Sequence, residues 1–215
     1  MNKKAELIKV FKEYKVTYET LQAQVQEINK SESYTQVGRE AAVSKLLGEF
    51  APVVEMYRNR AIDIIDTGVD ALAEKWRKNS TGKLMDSGYQ AGLANVMKML
   101  EMGAVKERED IKNIIDNYAG DFNALAVLRE ILLKSKNKAL HECVSLVPLD
   151  NREKNKELLA QLKGNVHKYI NISAVQSVSR SWNMFNQGLT SVSMSMDSMA
   201  QFVQDRLGDN LELMN

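Results

Sequence analysis

The sequence predicts an all-α protein: a multi-helix bundle domain followed by a long C-terminal amphipathic heptad helix. Three observations carry that prediction. Helix breakers are scarce, with Pro52 and Pro148 the only prolines among 215 residues, alongside 11 glycines. The chain is rich in Ala, Leu, Lys, Glu, Gln and Met, which lose little entropy in a helix. Apolar residues recur every three or four positions, the period of one helix face. With 44% apolar and 27% charged residues, the balance is that of a globular chain that buries a core, not of a disordered one.

The first element is expected at 3–30. Leu7, Tyr14, Leu21 and Ile28 repeat every seven residues, with Phe11, Tyr18 and Val25 between them. Such a seam packs lengthwise on another helix, within the subunit or between subunits. Two tyrosines in it favour irregular packing over a tight dimer core. A break at Ser31–Tyr34 precedes a helix at about 37–50, which should stop before Pro52. Pro52 then suits the first turn of a helix at about 53–78 that buries Met56, Ile62, Ile65, Val69, Leu72 and Trp76. The polar run from Lys78 to Lys83 reads as an exposed loop.

Further helices are expected at 84–102, closed by Gly103, and at 105–118, closed by Gly120. Asp121 is placed to cap the next, at 122–135. The segment 137–147 should be helical up to Pro148. Asp150 and Glu153 resemble a capping pair for 151–163, and Gly164 should end that helix.

Composition changes after Gly164. Residues 164–215 hold seven charged side chains, against 50 in the preceding 163, and eight serines fall between Ser173 and Ser198. The expected organisation is therefore a helical domain over 1–163, a linker at 164–172, a low-charge assembly helix at 173–207 and a tail at 208–215. Val175, Trp182, Leu189, Met196 and Val203 form one register of that helix. Val178, Phe185, Val192 and Met199 form the other. Ser, Asn and Gly flank the seam where a solvated coiled coil carries Glu and Lys. These nine residues are the candidate interface, with Trp182 and Phe185 as its anchors. The competing expectation is that the segment folds back onto its own N-terminal helices. Serine, asparagine and glycine are mediocre helix formers, so either way the helix needs its seam covered.

No catalytic, cofactor or metal set is expected. His141 and Cys143 lie two apart, on different faces of a helix, and His167 has no cysteine beside it. Three soft ligands cannot complete a structural zinc site. Cys143, within Ala139-Leu140-His141-Glu142-Cys143-Val144, reads as a small buried hydrophobe. Gly82-Lys83 lacks both the leading glycine of a phosphate loop, being preceded by Arg77, and its hydroxyl residue, being followed by Leu84. Asp63, Asp66 and Asp70 read as a solvated face beside Arg58 and Arg60. A net charge of +1 gives no global attraction to nucleic acid or anionic membrane. There is no run of 18 apolar residues, so no transmembrane helix is expected. The basic start MNKKAELIKVF is not followed by the apolar core of a secretory signal, and one cysteine excludes an intrachain disulfide, so synthesis in a reducing cytoplasm is expected.

The Lys-rich start MNKKAELIKVFKEY, the stretch from Tyr118 to Leu128, and the Ser/Met/Gln-rich tail together resemble helical structural and assembly proteins of tailed phages and prophages of Gram-positive bacteria. The resemblance spans the chain as texture and assigns no functional residue. It implies a virion, scaffold or accessory role, incorporation into a virion for the first of these, and a multimeric state. The expected function is a non-enzymatic assembly protein, a homo-oligomer or part of a larger protein assembly. The alternative is a monomeric regulatory module that captures a host or phage protein.

Overall fold

Capping and spacing set the first element, α1 (Lys3–Lys30), which covers the expected range. In this computed structural model the backbone is described for residues 2–176 and 182–214, and side chains for 2–175 and 192–214. Asn2 caps α1, its side-chain oxygen accepting from the Ala5 N–H at 3.0 Å. Glu6 in the first turn and Lys30 in the last complement the helix dipole. The seam Leu7, Phe11, Tyr14, Tyr18, Leu21 and Val25 is at most 4% exposed.

Among the described residues every regular element is helical. After α1 come α2 (Gln36–Asn79), α3 (Ser87–Glu101), α4 (Arg108–Asn117), α5 (Phe122–Lys134), α6 (Lys138–Glu142), α7 (Arg152–Tyr169), α8 (Ile172–Gln176) and α9 (Trp182–Arg206). The chain divides into two compact units, one built from Met1–Val69 with Lys154–Asn215, the other from Asp70–Glu153.

In the first unit α9 packs along α1. Their flank is joined by Lys15 Nζ and Asp197 Oδ2 at 2.6 Å. The early part of α2 contributes Val43, Leu47, Phe50, Val54, Ala61 and Ile65 to the core. It is tied to α1 by Lys3 Nζ donating to the Thr67 carbonyl at 2.7 Å and by the tilted Tyr14 and Tyr57 rings, 5.6 Å apart. From α7 come Leu159, Leu162 and Val166, while Lys163 Nζ donates to both oxygens of Asp66 at 2.8 Å.

Several expectations are corrected. The helices expected at 37–50 and 53–78 are one helix, because α2 runs through Pro52. Proline inside a helix removes one hydrogen bond, here the one to the Gly48 carbonyl, and costs about 3 kcal/mol. The apolar stripe on either side, Leu47, Phe50, Val54 and Ala61, stays in register only if the helix continues, and Pro52 itself faces solvent. Met56, expected in the core, is 53% exposed, since the buried stripe of this stretch runs through Val54, Ala61, Ile64 and Ile65. Gly164 does not end its helix, and α7 continues to Tyr169 because Leu162, Val166 and Ile170 carry one buried stripe past it. The residues expected to link two domains at 164–172 are thus mostly helix. The first unit joins both ends of the chain, Met1–Val69 with Lys154–Asn215.

The last residues form a hook. Leu207 and Leu213 make a single antiparallel bridge, and the Gly208 N–H donates to the Glu212 carbonyl at 2.6 Å. Buried Asn155 holds this hook, donating to the Leu211 carbonyl at 3.2 Å and accepting from the Leu213 N–H at 2.5 Å. Leu211 sits at φ 63° with no exposed surface, directly over Gly68.

In the second unit α3, α4, α5 and α6 enclose a core of Leu100, Ile111, Ile115, Leu125, Leu128 and Leu132. Gly103 and Gly120, at φ 66° and 86°, turn the chain after α3 and α4, as expected of them. The stretch expected as an exposed loop is a 3-10 turn at Thr81–Lys83, preceded by Ser80, which is buried.

Candidate functional site

The structure separates the nine candidate interface residues. Val175, Val192, Met196, Met199 and Val203 are at most 4% exposed, inside the first unit. These five side chains are covered by the chain's own helices, in the arrangement that the competing fold-back expectation describes. Its physical reason is that α1 offers a matching apolar seam in the same subunit. Val178 lies outside the described residues, and so do the side chains of Trp182, Phe185 and Leu189.

What α9 leaves open is its next face. Between α7 and α9 lies a groove of about 550 Å³. Leu158, Gln161, Leu162, Asn165 and Tyr169 line it from α7, at the three- and four-residue spacing of one helix face. Met194, Ser195, Ser198, Met199 and Phe202 line it from α9. The two helices run antiparallel, because Asn155 in the first turn of α7 bonds the residues just past the end of α9. Leu158 therefore lies toward Phe202, and Tyr169 toward Met194.

Among the described residues, the lining holds no carboxylate, ammonium, guanidinium, imidazole or thiol. Its polar atoms are neutral amides and hydroxyls, which donate and accept hydrogen bonds without carrying charge. Reading the seam alone missed the α7 half of this groove. The signal was present in Phe202 and Met194, two large apolar residues of the tail that fall off the heptad.

The cysteine and histidines do not converge. Cys143 is 2% exposed within the second unit's core, its Sγ donating to the Ala139 carbonyl at 3.2 Å, while His141 is exposed. Among the described residues no group of three or more His, Cys, Asp or Glu side chains is placed to hold a metal ion. No described helix is long and apolar enough to cross a membrane.

One buried polar node stands out in the second unit. Asp121, 3% exposed, caps α5 by accepting from the Asn123 and Ala124 N–H groups at 3.1 and 3.2 Å. Its other oxygen accepts from the Tyr89 hydroxyl at 2.5 Å. Burial alone would raise the Asp121 pKa. The Tyr89 hydroxyl and the backbone donors outweigh burial, and the carboxyl titrates below its ordinary value. Burial first, then the bond to Asp121, raises Tyr89 above the usual phenol range. The Tyr89 ring also packs edge-on against Tyr118 at 5.5 Å, with Lys83 Nζ 4.7 Å above it. The node joins α3 to the start of α5, and its partners are all structural.

No family model, curated protein or solved structure matches this chain.

Proposed function

We propose that this chain is a non-enzymatic helical protein that works by protein–protein contact, docking a partner in the uncharged groove between α7 and α9. The groove carries the reading. It is an open apolar trough bounded by two helices, and Met194 and Phe202, held off the internal seam, line its wall. Methionine-lined surfaces adapt to the shape of a partner. Because five seam residues are already consumed inside the subunit, the protein is read as a monomeric module that captures another protein.

A second reading has its own support. The low charge of 173–207 and the phage-like texture favour a structural or assembly component, an oligomer or part of a virion. Light scattering coupled to size exclusion on the full-length protein, over a hundredfold concentration range, separates the two. A monomer mass throughout supports the capture module. A mass that rises to a fixed multiple supports the assembly protein and overturns the monomeric reading.

A further inference from the structure

We infer that the hook at 208–214 is a clasp. It is a strained segment that fastens the end of α9 to α1, α2 and α7, and it opens as one piece while α9 stays on α1.

Three grips hold it closed. On α7, buried Asn155 donates to the Leu211 carbonyl and accepts from the Leu213 N–H. One amide side chain can donate and accept at once, so a single residue satisfies two main-chain groups of the hook. On α2, Leu211 fills the space that a side chain at Gly68 would take. On α1, the Lys4 N–H donates to the Asp209 carbonyl at 3.2 Å, and the Asn2 side-chain amide donates to Asp209 Oδ1 at 2.7 Å. N–H groups in a first turn have no acceptor within their own helix, and Asn2 is the cap of α1. The hook therefore completes the start of α1. Gly68 and Asn155 stand where the chain leaves the first unit and where it returns. The hook thus fastens segments that lie far apart in the sequence.

Two features oppose closure. Leu211 is held at φ 63°, the left-handed region that costs energy for any residue bearing a Cβ. Such a residue persists only where its surroundings over-determine it. Glu212 Oε2 is buried with no hydrogen-bond partner among the described residues, and a buried oxygen of this kind regains hydration when its segment opens. Opening the hook alone releases both costs. The pairing of α1 with α9 does not depend on it, because Leu7, Phe11, Tyr14 and Tyr18 are covered along the seam and Lys15 reaches Asp197 well inside α9. A short segment that carries strain and hangs on a few bonds opens locally, ahead of the helices beneath it.

The test is limited trypsin digestion of the full-length protein, with cleaved bonds identified by mass spectrometry, alongside hydrogen exchange. Arg206 is exposed, and its carbonyl accepts from the Met214 N–H at 3.0 Å, so trypsin fits the Arg206–Leu207 bond only when the hook is open. Cleavage follows the population of the open form, and Asn155→Ala should speed it at least tenfold at this bond. Exchange at the Lys4 amide should rise by a similar factor, while the amides from Phe11 to Tyr18 stay within about twofold of the unsubstituted protein. If Asn155→Ala does not fold, Leu211→Ala, which removes the grip on Gly68, takes its place with the same expectations. Unchanged cleavage at Arg206, or unchanged exchange at Lys4, overturns the inference. So does cleavage of the unsubstituted protein at Arg206 as fast as in a free peptide of residues 200–215. An equal rise at Lys4 and at Phe11 to Tyr18, or loss of folding in both variants, also overturns it, because the hook would then open only with the whole first unit.

Discussion

Asp121 shows how much one side chain can hold. It caps α5, accepts from Tyr89, and is almost fully buried. Removing a buried, charged hydrogen-bond acceptor leaves donors unsatisfied, at about 1–3 kcal/mol, so Asp121→Ala should lower the stability of the second unit by about that much in a urea melt. The sign of its pH dependence follows from the shift. The folded carboxyl titrates below its unfolded value, so its contribution is present above about pH 4 and is lost as pH falls through the lower folded value. Melts from pH 6 to pH 2 should therefore show an acid loss that Asp121→Asn removes. The cap itself was legible: an Asp after Gly120 and before an apolar run. Its bond to Tyr89, 32 residues away, was not, since no local pattern encodes it. At Gly68 an added Cβ would lie 2.7 Å from Leu211 Cδ1. Leu211 cannot readily yield, being buried and pinned by Asn155. Gly68→Ala should destabilise by about 1–3 kcal/mol through overpacking. In a Leu211→Ala background the same substitution should cost little, and a double-mutant cycle checks the coupling.

At the level of elements, most helices were legible and their ends less so. α1 and α5 were set by caps and spacing, signals that sit next to each other in the chain. Pro52 and Gly164 misled because they are local signals overruled by buried stripes that continue past them. Both should be poor choices for their sites. Gly164 has nothing within 4 Å of an added Cβ and ordinary helical φ. Gly164→Ala should stabilise by about 1 kcal/mol. Pro52→Ala restores a donor to the Gly48 carbonyl on an exposed face and should stabilise by about 1–3 kcal/mol. Thermal melts followed by circular dichroism measure both. A loss of stability in either would mean that the break is part of the helix's working shape. For the groove, the sequence supplied the odd residues Met194 and Phe202 but not the opposing α7 face, because the pairing of two helices that are not consecutive in the chain is a tertiary fact.

For the whole molecule, the shift in composition near residue 164 suggested a body and an appended helix. The structure divides differently, with one unit discontinuous and Asp70–Glu153 as the other. The first boundary falls inside α2, beside Gly68 but with the helix running through it and no change of composition to mark it. A protein cut after residue 170 therefore does not lose an appendage. It loses Val175, Val192, Met196, Val203, Leu207 and Leu211 from a core. Such a truncation should show reduced helicity and a lost cooperative transition for the first unit. A folded, cooperative fragment would mean that α9 is dispensable and its seam available to partners.

The pairing of α1 with α9 also sets an order of events. On a ribosome adding about 5–20 residues per second, α1 emerges roughly 10–40 s before the helix that covers it. Asp70–Glu153, whose core contacts are closer in sequence, can close during that interval. The seam of Leu7, Phe11, Tyr14 and Tyr18 can meet α2 early, through Tyr57 against Tyr14, but is completed only when α9 arrives. Until α9 arrives, part of the apolar face of α1 is therefore open to whatever chaperone or neighbouring chain is at hand.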